Sequence, residues 1–397
     1  MVARYSGPIA HQEYDREAAG IGRVNMKYVD EFRDPQIARK LATEIRSVVR
    51  NERRYRLMEF CGGHTHAIFR FGLHQLLPEN IEFVHGPGCP VCVLPASRID
   101  MSISLALQEG VILCTYGDVL RVPGWKGRTL LSAKAEGADV RMLYSPLDAL
   151  QLAERNPGRN IVFFAVGFET TAPATASAIF YAKQRKLRNF FVHSSHVLTP
   201  SAIQHILESP ELRTWGAPMI DGFLGPSHVS AIIGSRPYEY FAEEYRRPVV
   251  ITGFEPLDVL EAVGMLVRQI NEGRADVENQ YTRVVTREGN RPAQAAVAEV
   301  FELRKLFEWR GLGPIPYSAL RIKREFAEID AEERFPIPAH TVPENKACAC
   351  GAILRGLKKP TDCILFGKAC TPARPLGSCM VSSEGACAAY FNYRGLQ

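Results

Sequence analysis

From about residue 55 to 272 the chain repeats one pattern: a short apolar run, a glycine-rich polar turn, then apolar residues at helical spacing. The apolar runs predict strands at Leu57–Phe60, Ile81–Val84, Val111–Cys114, Val140–Tyr144, Ile161–Val166, Phe190–His193, Met219–Leu224 and Val249–Thr252. The last helix is the clearest, with Leu257, Leu260, Val263, Val267 and Ile270 recurring after Pro256. Eight strands alternating with helices define a parallel α/β fold. Two arrangements satisfy the pattern: two four-stranded doubly wound lobes, or one eight-stranded barrel. Beyond residue 275 the character changes. Residues 275–290 are polar, 295–309 predict a helix through Ala296, Val300, Leu303 and Leu306, and 310–346 are rich in Pro, Glu and Arg. The tail is loop-like, with Gly and Pro throughout. The first fifty residues contain a helical stretch, Asp34–Val49, and no strand pattern; they are expected to pack with the tail.

Composition narrows the class. The 397 residues are 46% hydrophobic and 23% charged, enough for a sizeable core and two or three domains. The net charge of +5 is not gathered into any Lys/Arg block, which argues against nucleic acid as a partner. The N-terminal residues lack an apolar signal core, and no apolar run approaches about 18 residues, so a cytoplasmic protein with no membrane contact is expected. Structural disulfides are rare in that compartment. Ten cysteines there point to metal, catalysis or transient redox bridges.

The turns that follow the strands hold the reactive side chains: CGGHTH, HGPGCPVC, CTYGDVLRVPG, GFETTAP, HSSHVLTP, GPSH and GFEP. In parallel sheets ligands bind outside the carboxyl ends of the strands, where helix N-termini present free N–H groups. Cys61 stands at such a turn. The helix after it is expected to lower its pKa and favour the thiolate, with His64 or His66 close enough to supply an imidazole; the structural alternative is a small buried residue. Cys89-Pro90-Val91-Cys92 has the spacing that closes a disulfide across one helical turn, or half of a zinc site. Cys114, inside an apolar run, reads as an inert core thiol. Asp118, Glu169, His196 and His228 lie at strand ends and suit either a ligand or a structural hydrogen bond. Gly-Phe-Glu occurs twice, at Gly167–Glu169 and Gly253–Glu255, a hint of internal duplication. No phosphate-binding or dinucleotide fingerprint is present.

The last fifty residues hold Cys348, Cys350, Cys363, Cys370, Cys379 and Cys387. Structural zinc sites use Cys-x2–4-Cys knuckles, which are missing here. Widely spaced cysteines in a Gly/Pro loop fit an iron–sulfur cluster better, and six thiols for four ligands leave two for a disulfide.

Together, the strings FCGGHTHAIFRFG, HGPGCPVCVLP, YGDVLRVPG, VGFETTAPATA, HSSHVLTPSAI, DGFLGPSHVSAIIG and the tail CACGAILRG…PTDCILFGKACTPARPLGSCMVSSEGACAAY resemble the HypD proteins of nickel–iron hydrogenase maturation. The resemblance implies two doubly wound parallel-sheet lobes plus a mainly helical, loop-rich iron–sulfur domain. The corresponding division is an N-terminal helical segment (1–50), lobe 1 (51–155), lobe 2 (156–275) and the iron–sulfur domain (276–397). It further implies a cofactor-assembly scaffold with redox thiols rather than a conventional single-substrate enzyme. The product is the iron–dicyanide–carbonyl group, built with a HypC-type chaperone, supplied with cyanide by a HypE-type donor and passed on to the hydrogenase large subunit. Carried over, Cys61 holds the transient iron, with His64 beside it, and Cys89 and Cys92 form the adjacent redox pair. By the family's likeness to ferredoxin–thioredoxin reductase, Cys350, Cys363, Cys370 and Cys387 are expected to hold a 4Fe–4S cluster and Cys348 and Cys379 to form a second disulfide pair. Cys348 and Cys350 would point opposite ways in an extended strand, which is compatible with that partition. The competing readings are a thiol–disulfide oxidoreductase acting on protein partners, and a zinc-stabilised interaction scaffold.

Overall fold

The structure is a computed structural model that describes residues 27, 29–210, 219–337, 342–343 and 345–393. Every apolar run read from the sequence becomes a strand, and one more joins them. In chain order they are β1 (Tyr55–Glu59), β2 (Ile81–His85), β3 (Val111–Thr115), β4 (Val140–Met142), β5 (Asn160–Gly167), β6 (Phe190–His196), β7 (Gly222–Gly225), β8 (Val249–Ile251) and the unforeseen β9 (Val277–Asn279). They form two parallel sheets, ordered β2-β1-β7-β8-β9 and β4-β3-β5-β6, so the barrel is excluded. Within each sheet the order by appearance is second, first, third, fourth, the doubly wound pattern.

The sheets do not divide the chain at residue 155. The four-stranded sheet is made from residues 111–196 and is inserted between the two halves of the five-stranded one. The repeated Gly-Phe-Glu follows β5, third in its sheet, and β8, fourth in the other, so the two copies occupy non-equivalent places.

Both faces of each sheet are buried, which is why the strands read as continuous apolar runs. Along β5, Val162, Phe164 and Val166 enter one apolar layer and Ile161, Phe163 and Ala165 the opposite one. Cys114 lies in that second layer, fully buried, and burial pushes its thiol up to about 12, as befits an inert core residue. The helix Pro256–Glu272 buries Leu257, Leu260, Val263, Val267 and Ile270 against the five-stranded sheet and ends at Gly273 in the left-handed region.

Two expectations are corrected. The helix Pro35–Val48, started by Asp34 accepting from the Gln36 and Ile37 backbone N–H groups, packs on the helix Pro256–Glu272 rather than chiefly on the tail. Arg33 reaches Glu255 and Asn271 donates to the Val48 carbonyl, fixing that contact; residues 1–26 lie outside the described residues. The helix read over 295–309 stops at Val300. It gives way to a long antiparallel hairpin, β10 (Phe301–Trp309) and β11 (Gly313–Ile322), with a bulge between Arg304 and Leu306. Leu303 and Leu306, half of the supposed helical stripe, are exposed, whereas Phe301, Phe307 and Trp309 are buried. Residues 276–397 are therefore less helical than expected.

The hairpin joins the four-stranded sheet to the tail. Leu198 donates to the Ser318 carbonyl at its base. At its tip Arg310 donates from its backbone to Val93, while Arg355 holds the Gly311 and Leu312 carbonyls. No helix among the described residues is long and apolar enough to cross a membrane.

Candidate functional site

In a doubly wound sheet the loops diverge where the strand order reverses, leaving a crevice at the carboxyl ends. These reversals fall between β1 and β7 in one sheet and between β3 and β5 in the other. The turns after all four strands line one cleft of about 490 Å3: Phe60 and Cys61, Tyr116 to Val119, Val166 to Phe168 with Thr170 and Thr171, and His228 with Val229. Gly88, Pro90 and Val91 from the Cys-Pro-Val-Cys turn, Met142 to Tyr144 at the end of β4 and Glu384 from the tail line it as well.

Cys61 is 6% exposed and immediately precedes the helix Gly62–Arg70. Its backbone N–H donates to Glu59 Oε2 at 3.2 Å. The Glu59 side chain, itself buried, is held by His85 Nδ1 at 2.7 Å and by the Thr65 hydroxyl. Close packing explains the glycines around it. A Cβ on Gly62 would lie 2.4 Å from Glu384 Cβ, and one on Gly88 would lie 2.5 Å from the Cys61 nitrogen. The expected low thiol pKa is not found. Backbone N–H groups of Gly63 and His228 do favour the thiolate, but burial and then the Glu384 carboxylate push the thiol well above its ordinary range. A cation is what would reverse that balance. Burial likewise raises the Glu384 carboxyl, with Asp118 and Glu59 adding repulsion.

His64 does not line the cleft. It is fully buried, with Nε2 at 3.2 and 3.1 Å from the Thr252 and Gly253 carbonyls, and burial lowers it to about 4. It is neutral at pH 7 and ties the helix after Cys61 to the end of β8. Asp118 and His228 do line the cleft. Glu169 and His196 do not. Glu169 accepts from the Thr199 N–H (2.8 Å) and hydroxyl (3.2 Å) at the start of the helix Thr199–Glu208. His196 is buried against Ser194 and Thr175, and burial lowers it to about 3.

Cys89 and Cys92 are buried in one turn, the Cys92 N–H donating to Cys89 Sγ at 3.3 Å. The Cys92 and Cys379 thiols are neighbours, and Cys350 lies beside Cys379. Donation from Cys350 and Cys92 holds the Cys379 thiol below the ordinary range, while burial raises Cys92. Beyond them, Cys348, Cys350, Cys363, Cys370 and Cys387 line a small apolar cavity with Ile353, Phe366 and Met380. The expected divergence of Cys348 and Cys350 is also corrected. The chain turns into a short helix at Cys350, so the two sulfurs come within 3.2 Å instead of pointing apart. Cys348 and Cys350 both line the cavity, whereas Cys379, beside Cys350, does not. Gly377 makes room there, since a Cβ would stand 2.6 Å from Cys348 Sγ and 2.8 Å from Cys350 Sγ. Among the described residues no three His, Cys, Asp or Glu side chains converge as ligands of one ion do; the thiols surround a space.

Sequence reading missed Glu59 and Glu384. Glu384 had one usable signal, an acidic residue in the Ser-Ser-Glu-Gly turn between Cys379 and Cys387. Glu59 had none, because a carboxylate at the end of a buried strand reads as a boundary residue.

The fold and the site together define a doubly wound α/β protein whose switch-point cleft offers a buried thiol backed by further thiols. Comparison with known proteins gives the family. Residues 36–394 match the HypD family, described as "Hydrogenase formation hypA family". The chain is 62% identical over 368 residues to the hydrogenase maturation factor HypD of Cupriavidus necator, covering 93% of this chain and 97% of that one. It is 61% identical over 368 residues to that of Azotobacter vinelandii, with the same two coverages. It is 48% identical over 374 residues to that of Escherichia coli, covering 93% and 98%. The chain belongs to the HypD family of hydrogenase maturation factors.

Proposed function

We propose that this protein is the cytoplasmic scaffold on which the iron–dicyanide–carbonyl group of nickel–iron hydrogenases is assembled. The iron is held at Cys61 together with a HypC-type chaperone, cyanide arrives from a HypE-type donor, and the finished group leaves for the hydrogenase large subunit. The observation that carries the reading is the position of Cys61: a buried thiol in a cleft lined from the switch points of both sheets, next to the Cys89–Cys92 turn. Ferrous iron arriving as substrate supplies the positive charge that the buried thiol and Glu384 lack. A thiolate donor then enriches the iron for cyanide and carbon monoxide.

The donor set of the tail, five thiols around one apolar space with Gly377 leaving room beside two of them, suits a 4Fe–4S cluster. Cys348, Cys363, Cys370 and Cys387 would hold it, and Cys350 would pair with Cys379, the tail thiol that does not line the cavity and lies beside Cys350. Bound there, the cluster supplies electrons singly. The chain's own thiols do the rest. With Cys350 and Cys379 reduced, the Cys379 thiolate attacks Cys92 of a Cys89–Cys92 disulfide, and Cys89 leaves and takes up a proton. Cys350, losing its proton, then displaces Cys92 and closes the Cys350–Cys379 disulfide, leaving Cys89 and Cys92 reduced beside the iron site.

The test is Cys61→Ala, purified without oxygen in complex with the HypC-type chaperone. Infrared bands of cyanide and carbonyl should vanish while acid-labile sulfide stays at the wild-type level. Bands of wild-type intensity would end the iron-anchor role. A wild-type complex that lacks the bands yet still reduces protein disulfides would establish the thiol–disulfide oxidoreductase that the Cys92–Cys379 contact also allows.

A further inference from the structure

A cavity of about 630 Å3 reaches Cys348, Cys350 and Gly377 and shares no lining residue with the Cys61 cleft. The loop Pro123–Gly127 forms one side, the hairpin tip contributes Arg310, and the tail contributes Arg374. Lys126 and Arg374 are exposed, as is half of Trp125, and the Lys126 ammonium lies 4.7 Å from the centre of the Trp125 ring. Arg310 donates from Nη2 to the Pro123 carbonyl, and its Nη1 is buried without a partner among the described residues. The loop is held in place: Asp100 accepts the Trp125 N–H at 3.0 Å, and a Cβ on Gly124 would lie 2.3 Å from Asp100 Oδ1. No carboxylate lines this cavity among the described residues. An adjoining depression over Cys348 and Cys363 adds Lys346 and Lys358; its one acid, Asp362, is bound to the Lys359 backbone at 2.8 Å.

We propose that this cavity is the port by which the tail thiols receive electrons, and that its occupant is an acidic, low-potential, one-electron carrier protein. The proposal rests on the reading above that the tail holds an iron–sulfur group, because a carrier of single electrons needs an acceptor of single electrons. Charge complementarity selects the partner. Lys126, Arg310 and Arg374, with no carboxylate among the described lining residues, attract an acidic surface, and the half-exposed Trp125 adds an apolar anchor that a small inorganic anion would not use. Each carrier loses one electron per encounter and departs oxidised. Two encounters, with two protons from solvent, open one cysteine disulfide to two thiols.

The experiment mixes oxidised, anaerobic protein with a photoreduced acidic ferredoxin in a stopped-flow spectrometer. For the wild type the second-order rate should fall as salt is added, and it should fall at least about tenfold in Lys126→Glu/Arg374→Glu. Reduction of that variant by dithionite should proceed at the wild-type rate. A wild-type rate indifferent to salt, or a double variant reduced by ferredoxin as fast as the wild type, overturns the port. Absence of acid-labile sulfide with no bleaching by dithionite would mark failure of the tail reading instead. Calorimetric titration with oxidised ferredoxin then still decides the port: binding weakened tenfold or more by the charge reversal upholds it, and unchanged or absent binding rejects it.

Discussion

Glu169 displays what burial does to one ionisable group in this fold. Burial raises its carboxyl from 4.5 to about 7, against the opposing pull of the Thr199 donors. Below pH 4.5 the group is neutral in folded and unfolded chains alike, and its contribution to stability is fully present. As pH rises towards 7, the unfolded chain ionises freely and the folded one resists. Stability is lost across that window by roughly 3 kcal/mol and is flat above it. Glu169→Gln should remove the slope, which urea denaturation of both proteins at pH 5 and pH 7.5 will check; an unaltered slope would refute the assignment. The same scale decides which site residues were legible in the sequence. Cys61, Asp118 and His228 followed from the rule that strand-end turns carry the chemistry. Glu169 and His196 obeyed the same rule but do not line this cleft: Glu169 accepts from Thr199, and His196 is buried against Ser194 and Thr175. Whether a strand-end side chain faces the cleft or the sheet interior depends on one residue of register, and sequence carries no mark of it.

Among the elements, the hairpin of β10 and β11 was the least legible. Ala296, Val300, Leu303 and Leu306 follow a helical period, and only the exposure of the last two, a tertiary fact, shows that the period is accidental. The parallel strands before β9 were legible because burial on both faces leaves no other way to write them; β9, only half-buried, carried no such signal. Trp309 ties the hairpin to the thiols. It is fully buried, donates from Nε1 to Ser318 Oγ at 2.8 Å, and belongs to the same apolar cluster as Cys89, Cys92 and Cys350. Trp309→Ala should destabilise the protein by about 3–5 kcal/mol, and acid-labile sulfide should fall with it. Trp309→Phe, which loses the hydrogen bond and part of the ring, should retain most of both. Sulfide at the wild-type level in Trp309→Ala would separate the hairpin from the tail.

Across the whole molecule, the interleaving of the two sheets forbids any cut near residue 155. Residues 51–155 contain β1 to β4 but neither β7, which pairs with β1, nor β5, which pairs with β3. That fragment should be unfolded by circular dichroism although its sequence reads as a complete α/β lobe; a cooperative melting transition in the isolated fragment would contradict the topology. The two switch points owe their common cleft to the same arrangement, and no local pattern announces it.

The contact between Gly62 and Glu384 has a further consequence in the order of synthesis. The ribosome makes Cys61 early and Glu384 more than three hundred residues later, at roughly 5–20 residues per second. For something like half a minute the nascent chain carries the thiol without the residue that packs over its turn. A chain cut short before the tail therefore lacks a finished Cys61 cleft, and only full-length molecules can present one to iron.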